Sequence, residues 1–340
     1  MATFLYTVSS ESQNLKSLQL DSFSTLTKTI SDVLPCFRKL QLLHIQAMDC
    51  HSAVDFLKTD FLKTCALSMT SLRSLTVALH SEGNFGQPGS AGVSKNLGLI
   101  TFGCLSKLNL TGHFRNIGNM LNTLFVPKLD TLYLDFRCED EIIANISPFI
   151  YGFLTLNGQH LKDGLRRLSI KSDSKEFSIE GYFDSFKGFT KLHTVRFDTW
   201  SFPISASGLA NFFHGKKLWS DLTAIHLVGH SDQPNDALSI AALPLLADSF
   251  PKLLHLAIGI SNPDQAAMKR VTTNPTRTTH NLETLLFCKL PPGWIYSTSS
   301  AVSFASFLHQ LFPKLKEVIS YNHKKWMVEV RGMLKKEQSA

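Results

Sequence analysis

The chain has 340 residues, of which 44% are hydrophobic and 18% are charged, and its formal net charge is +7. This balance is typical of a folded protein and excludes an intrinsically disordered chain. A charge of +7 spread over this length is too dilute for the basic stripe of a nucleic-acid-binding protein, so we expect no nucleic-acid partner.

No stretch of the sequence predicts membrane insertion or export. The most apolar stretches, 146–156 and 238–247, are far shorter than the roughly 20 residues that cross a bilayer. Residues 1–12 lack the basic start of a signal peptide. The six cysteines occur singly, with no C-x-x-C pair, which favours free thiols in a reducing compartment. We therefore expect a cytoplasmic protein, with the nucleus as the alternative location, and no membrane partner.

A short apolar triad of the form L-x-x-L-x-L recurs along the chain. Its spacing averages about 30 residues, and its apolar–polar alternation predicts a short half-buried strand each time. The phrase Phe-Pro-Lys-Leu leads into the triads at Leu253 and Leu315, and variants of it lead into those at Leu40, Leu129 and Leu192. The eleven triads begin at Leu15, Leu40, Leu72, Leu105, Leu129, Leu165, Leu192, Leu222, Leu253, Leu282 and Leu315.

Segments with helical spacing lie between the triads. Ser205 and Asp236 are residue types that favour a helix start, and the Phe-Pro pair predicts a helix end, because proline stops the helix while phenylalanine fills the core. The predicted helices span residues 52–69, 139–154, 205–218, 236–250 and 301–312.

The repeats predict a single domain over residues 1–340. Residues 1–14 form a lead-in, 15–320 hold about eleven irregular repeats, and 321–340 form a capping strand followed by a basic tail. Two longer stretches, 81–94 and 261–280, are rich in Gly or in Thr and Pro and are expected to be exposed loops.

The triads, the Phe-Pro-Lys-Leu phrase and the intervening helices resemble the ribonuclease-inhibitor-like class of leucine-rich repeats. More narrowly, residues 105–136 and 241–260 resemble the F-box/leucine-rich-repeat proteins of mushroom-forming fungi. The resemblance implies an α/β solenoid, with a curved parallel sheet on the concave face and helices outside. It also implies a substrate-recognition arm of a ubiquitin ligase. Because the first triad begins at Leu15, we expect no F-box in this chain, and a Skp-type adaptor is a partner only if an F-box exists upstream.

No motif in the sequence predicts catalysis. Glycine-rich phosphate loops, the H-E-x-x-H zinc motif and the G-x-S-x-G nucleophile motif are all missing, and no histidines have metal-ligand spacing on one element. We expect no enzyme activity, no cofactor and no metal.

The third, fifth and seventh positions of each triad point away from the core, so their side chains form the predicted binding face. Early repeats place polar residues with little net charge there, and late repeats place apolar ones there. The early residues are Ser17, Gln19, Asp21, Ser74 and Thr76, and the late ones are Val228, Ala257, Leu286 and Ile319. The middle repeats are basic, which predicts an unidentified protein partner with an acidic or phosphorylated segment. We call these middle residues the central patch: Lys107, Tyr133, Asp135, Arg167, Lys171, Arg196 and Asp198.

Other interpretations of the same sequence stay open. The patch residues could be ordinary solvated strand residues, with Asp135 and Asp198 neutralising the cations. The chain could be a catalytic accessory such as a GTPase activator, which needs a projecting arginine, and Arg137 is the candidate. It could also be a scaffold without a specific partner.

Overall fold

The computed structural model consists of two compact units, Met1–Leu165 and Arg166–Ala340, which are described separately. The single domain expected from the repeats stays a prediction. The structure describes residues 2–23, 32–47, 61–79, 99–137, 147–173, 186, 188–199, 219–229, 238–262, 268, 280–290, 298–320 and 324–339.

The first unit is built on five parallel strands that lie side by side in chain order, β1, β2, β3, β5 and β7. The two-residue strands β4 and β6 pair with each other in a separate parallel ladder. The strands are β1 (Ser17–Phe23), β2 (Leu42–Ala47), β3 (Ser74–Leu79), β4 (Ile100–Thr101), β5 (Lys107–His113), β6 (Leu124–Phe125) and β7 (Thr131–Arg137). The helices are α1 (Ala2–Glu11), α2 (Phe61–Ser68), α3 (Phe114–Leu121) and α4 (Ser147–Gly164), with a 3₁₀ turn at Leu34–Cys36.

The second unit repeats this arrangement with six parallel strands, β8, β9, β10, β12, β13 and β14, and the short β11 pairs with β12. Helices α6 and α7 pack together. The strands are β8 (Arg167–Ser172), β9 (Thr194–Thr199), β10 (Ala224–Gly229), β11 (Leu238–Ser239), β12 (His255–Asn262), β13 (Thr284–Lys289) and β14 (Glu317–Ser320). The helices are α5 (Ala242–Ser249), α6 (Thr298–Leu311) and α7 (Lys324–Ser339).

Each of the eleven predicted triads starts a strand two residues after its first leucine. The residues at the fourth triad position are buried as alternation requires, with exposed fractions of 2% for Leu132, 1% for Leu168 and 2% for Ile225. The predicted α/β fold of leucine-rich repeats, with a parallel strand from every repeat, is confirmed.

Neighbouring repeats are joined by a backbone bond pattern at the start of each strand. The carbonyl of Arg73 accepts the N–H groups of Ser106 at 2.8 Å and Lys107 at 2.9 Å. In the second unit the carbonyl of Arg166 accepts those of His193 and Thr194 in the same way. One carbonyl per repeat therefore fixes the register of the next strand.

The phenylalanine of the lead-in phrase fills the core where a helix ends, as predicted. Phe250 and Phe312 are each 1% exposed, and their N–H groups still bond to the last turns of α5 and α6. Their carbonyls then accept the N–H groups of Leu253 and Leu315, the first leucines of the next triads. The chain thus turns from helix to strand over a buried ring.

His280 takes over this role before the triad at Leu282. Its ring is 5% exposed, and its Nδ1 accepts the N–H of Leu282 at 3.1 Å. The proton must then sit on Nε2, which donates to the carbonyl of Phe250 at 2.8 Å. Burial lowers the pKa of His280, against the weaker opposing effects of the Phe250 bond and of Asp248. The neutral ring joins one repeat to the next.

The end of the chain differs from the prediction. Residues 324–339 form helix α7, not a capping strand and a basic tail. The alternation at 326–330 suggested a strand, but Trp326, Met327, Val330 and Leu334 are buried and Val328 is 65% exposed. Burial at these spacings is that of a helix face.

Helix positions were predicted less accurately than strand positions. Helix α4 spans Ser147–Gly164 and runs ten residues past its predicted end, while residues 139–146 of its predicted range lie outside the described residues. Helix α5 begins at Ala242, so Asp236 is not its cap. Helices α1 and α3 were not predicted. Helix α6 lies within three residues of its predicted bounds, and α2 falls inside its predicted range. The helix predicted at 205–218, the loop at 81–94 and most of the loop at 261–280 lie outside the described residues.

Candidate functional site

The first unit contains three central-patch residues, on β5 and β7. Lys107 is exposed at the third position, with Ser74 and Thr131 as its strand neighbours. Tyr133 is half-buried beside Asn109, whose amide donates to Thr76 at 3.2 Å. Lys107 therefore presents its charge to solvent, whereas Tyr133 presents only part of its ring.

Asp135 contributes less to this face than the sequence suggested. It is 7% exposed, next to Thr111 on the neighbouring strand. A carboxylate enclosed to this degree offers little surface to a partner.

The second unit contains the other four patch residues, on β8 and β9. Ser169 lies beside Arg196, and Lys171 lies beside Asp198. Arg196 Nη2 is 2.9 Å from Asp198 Oδ2, with side-chain exposures of 50% and 9%. Part of the basic charge is thus neutralised within one strand, which is the alternative that the sequence had left open.

The two arginines predicted to act together are diagonal neighbours. Arg167 is paired with Thr194, two residues before Arg196 on the same strand. Both side chains are exposed. Convergence on one anion would therefore need both side chains to lean toward each other, and Arg196 would have to leave Asp198.

His226 on β10 lies directly beside Arg196 on β9. Its pKa is lowered, first by burial and then by the positive charges of Arg196 and His255, while Asp198 acts in the opposite direction. The imidazole is therefore neutral at neutral pH and adds no cation to the patch.

The late strand face is apolar, as predicted, but it is not fully open. Val228, Leu286 and Ile319 are half-buried. Ala257 is 2% exposed.

A groove lies on the strand face of the first unit, mostly in the early repeats whose outward residues are polar. Its volume is about 450 Å³ and it crosses β1, β2, β3 and β5. Its lining includes Leu42, His44, Arg73, Ser74 and Lys107. Arg73 escaped the sequence analysis because it occupies the second triad position, before the strand begins, where alternation does not assign a face. The sequence does contain a sign of this site: Arg73 at the second position of one triad is followed by Lys107 at the third position of the next triad.

No metal-binding cluster is present in the described residues. Among them, no group of three or more His, Cys, Asp or Glu could hold a metal ion. Burial raises the pKa of the Cys65 thiol, and burial together with Asp198 raises that of Cys288 to about 11. Arg137, the candidate for a GTPase activator, is half-buried at the last position of β7 and pairs with His113.

No helix in the described ranges combines the length and the apolar character needed to cross a bilayer.

Comparisons with known proteins give distant structural likeness alone. No protein-family model matches the chain, and no curated protein matches its sequence. Similar solved structures include the leucine-rich-repeat-containing protein LegL7 of Legionella pneumophila, with 13% identity and a TM-score of 0.42 over 94% of this chain and 91% of that one. They also include a chain of the yeast Rad7–Elc1 complex, with 14% identity and a TM-score of 0.33 over 85% and 82%. Neither likeness carries function, and the repeat assignment rests on the triads and the strands that they start.

Proposed function

We propose that this chain is a non-catalytic protein–protein interaction module whose strand face binds the partner. The observation that supports this is the register of outward side chains. In each unit, equivalent positions of successive repeats lie directly beside one another, about 4.8 Å apart. Such a surface can bind an extended segment of a partner through many small contacts, as the concave surfaces of other stacked repeats do.

The partner we propose carries an acidic or phosphorylated segment. Lys107 in the first unit and Arg167 in the second are exposed cations on the strand face. Arginine is enriched at interface hot spots, and it can grip a carboxylate or phosphate through two parallel bonds.

The narrower role we propose is that of a substrate-recognition arm of F-box/leucine-rich-repeat type, acting in the cytoplasm or the nucleus. This rests on the sequence resemblance. Recruitment of a Skp-type adaptor would require an F-box in the same polypeptide, which the sequence of the full transcript would reveal.

Partner capture by a charge-reversed variant tests the module. The test variant is Arg167→Glu/Arg196→Glu, and its matched control is Lys335→Glu/Lys336→Glu, which makes the same charge change on exposed positions of α7. Proximity labelling should recover a set of proteins with the wild type and the control that the test variant loses. Because Arg196→Glu faces Asp198, the single variant Arg167→Glu is measured in parallel. Equal capture by all variants would exclude Arg167 and Arg196 as the contact.

A further inference from the structure

The groove of the first unit brings two cations together at the start of neighbouring strands. The N–H of Lys107 donates to the carbonyl of Arg73 at 2.9 Å, so the two side chains leave backbones that are one hydrogen bond apart. Both side chains line the groove and both are exposed. Their charges therefore act on the same volume.

These cations are not neutralised by the surrounding protein. Within the described ranges, neither the guanidinium of Arg73 nor the ammonium of Lys107 forms an ion pair or a hydrogen bond with another side chain. The groove lining drawn from those ranges contains no carboxylate. Asp21 lies outside the lining, where it accepts a bond from Gln19 at 2.8 Å and is 3.8 Å from His44 Nε2. This contrasts with Arg196, which is bound to its own carboxylate.

The other lining groups suit a tetrahedral anion with several oxygen acceptors. Ser74 lies beside Lys107 on the neighbouring strand and Thr76 follows two residues along β3, so both place hydroxyls near the cations. Ser17 lies three strands from Lys107, roughly 14 Å away, and does not reach the same anion. His44 Nε2 is enclosed without a hydrogen-bond partner among the described residues. A phosphate monoester carries a charge near −2 and three acceptor oxygens, which match two cations and nearby hydroxyls. A single carboxylate would leave one of the two cations without a counter-charge.

The shape of the groove favours a segment of chain over an enclosed small molecule. Small-molecule sites bury most of the ligand surface. Here the rim is open, since Ser17, Arg73 and Lys107 are exposed and Leu42 is 48% exposed. Crossing four strands at about 4.8 Å spacing corresponds to roughly four extended residues. Leu42 offers an apolar contact to a residue beside the phosphate.

We propose that this groove binds a phosphorylated serine or threonine side chain within an extended segment of a partner protein. Arg73 and Lys107 hold the phosphate oxygens, and the hydroxyl of Ser74 donates to one of them. The inference deepens the proposed interaction role and rests on it for the protein nature of the ligand. It places the anion site in the first unit and assigns it residues outside the central patch, with Lys107 common to both.

Fluorescence anisotropy with labelled peptide libraries tests the groove in the full-length chain. One library of short degenerate peptides has phosphoserine at its centre, and matched libraries have serine or glutamate there. We expect the phosphoserine library to bind, the serine library not to bind, and the affinity to fall as salt rises. The variant Arg73→Glu/Lys107→Glu should weaken phosphoserine binding by at least about tenfold, since two charge-assisted contacts are reversed. The control Lys63→Glu/Lys128→Glu alters two exposed lysines of the same unit outside the groove and should bind as the wild type does.

Each result bears on the groove itself. Unchanged binding by the Glu variant, equal binding of the serine library, or no binding of any library would overturn the proposal. Displacement of the phosphoserine library by inorganic phosphate at an equal concentration would identify a free-anion site and would also overturn it. Arg73→Gln/Lys107→Gln should show a smaller loss and decides the question if the Glu variant fails to fold. The peptide experiment and the capture experiment test different residues. If no library binds, the groove proposal fails but the proposed role of Arg167 is unaffected. If Arg167→Glu captures the same proteins as the wild type, the groove proposal is unaffected.

Discussion

Replacing Asn157 by leucine tests whether this side chain provides the hydrogen bonds for the backbone groups on a buried strand edge of the first unit. Asn157 lies in α4 with 0% exposure. Its Oδ1 accepts the N–H of Val126 at 2.8 Å, and its Nδ2 donates to the carbonyls of Leu124 at 2.9 Å and Phe153 at 3.1 Å. The amide thus acts as a substitute backbone for β6, whose other edge is paired with β4.

The expected cost follows from the groups that lose their partners. Leucine branches at Cγ as asparagine does and, being larger, leaves no cavity, but it bonds neither the N–H of Val126 nor the carbonyl of Leu124. Both residues are 0% exposed, so water does not replace the lost bonds. A buried unsatisfied backbone group costs about 1–3 kcal/mol, so Asn157→Leu should lower the free energy of unfolding by about 2–6 kcal/mol. Asn157→Asp should cost at least as much, because a carboxylate repels the Leu124 carbonyl.

Denaturant unfolding followed by circular dichroism measures the loss, and amide hydrogen exchange at Val126 locates it. The matched control is Asn119→Leu on α3, a half-buried asparagine whose side chain forms no hydrogen bond with another described residue, and it should stay within about 0.5 kcal/mol. A change of less than 0.5 kcal/mol for Asn157→Leu, with exchange at Val126 unaltered, would refute the idea that this side chain replaces a strand.

Three further predictions concern the repeat framework. The pKa of His280 is lower in the folded protein than in the unfolded chain, so its contribution to stability is complete above about pH 6.5 and is lost as the pH falls below that value. The urea midpoint should therefore change more between pH 7.5 and pH 5.5 in the wild type than in His280→Gln. An equal change in both proteins would contradict this. Leu168→Ala should cost about 2–5 kcal/mol in denaturant melts, and a shift within ±0.5 kcal/mol would mean that the strand register is wrong. Gly112→Ala should cost about 1–3 kcal/mol, because Gly112 has φ of +146° and a Cβ there would overlap the carbonyl oxygen of Leu79; a neutral melting result would show that β5 can shift.

The strands were predictable from the sequence because alternation in a half-buried strand is a strong local constraint. In β7, for example, Leu132 and Leu134 at the fourth and sixth triad positions both face the core, so a one-residue slip of the strand would expose both. The helices were harder to place, since their caps vary between repeats: α3 begins after His113 and α5 after Ala241, neither with a side-chain cap. The terminal helix was misassigned because a five-residue window fits both periods, and burial of Leu334 distinguishes them.

The candidate site was only partly predictable, for a different reason. Position in the triad gives the face of a side chain but not its partners. It identified Lys107 correctly as an exposed cation, and it also identified Arg196, whose charge is shared with Asp198. It passed over Arg73, because the residue before a strand follows the turn and not the alternation. Which cations are available is a property of neighbouring repeats, and no single repeat contains that information.

The recurring lysine of the lead-in phrase illustrates the same point and bears on where an anion can bind. Lys252 Nζ is 2.7 Å from Asp221 Oδ1, and it holds the pKa of that carboxyl below its usual value. Lys314 and Lys39 make equivalent 2.7 Å bonds to asparagines, and in all three cases the acceptor stands just before the first leucine of the preceding repeat. These lysines link neighbouring repeats, so their charge is already engaged. A net charge of +7 therefore says less about ligand binding than the distribution of engaged and available cations, and that distribution favours Arg73 and Lys107 over the arginine that shares its charge with Asp198.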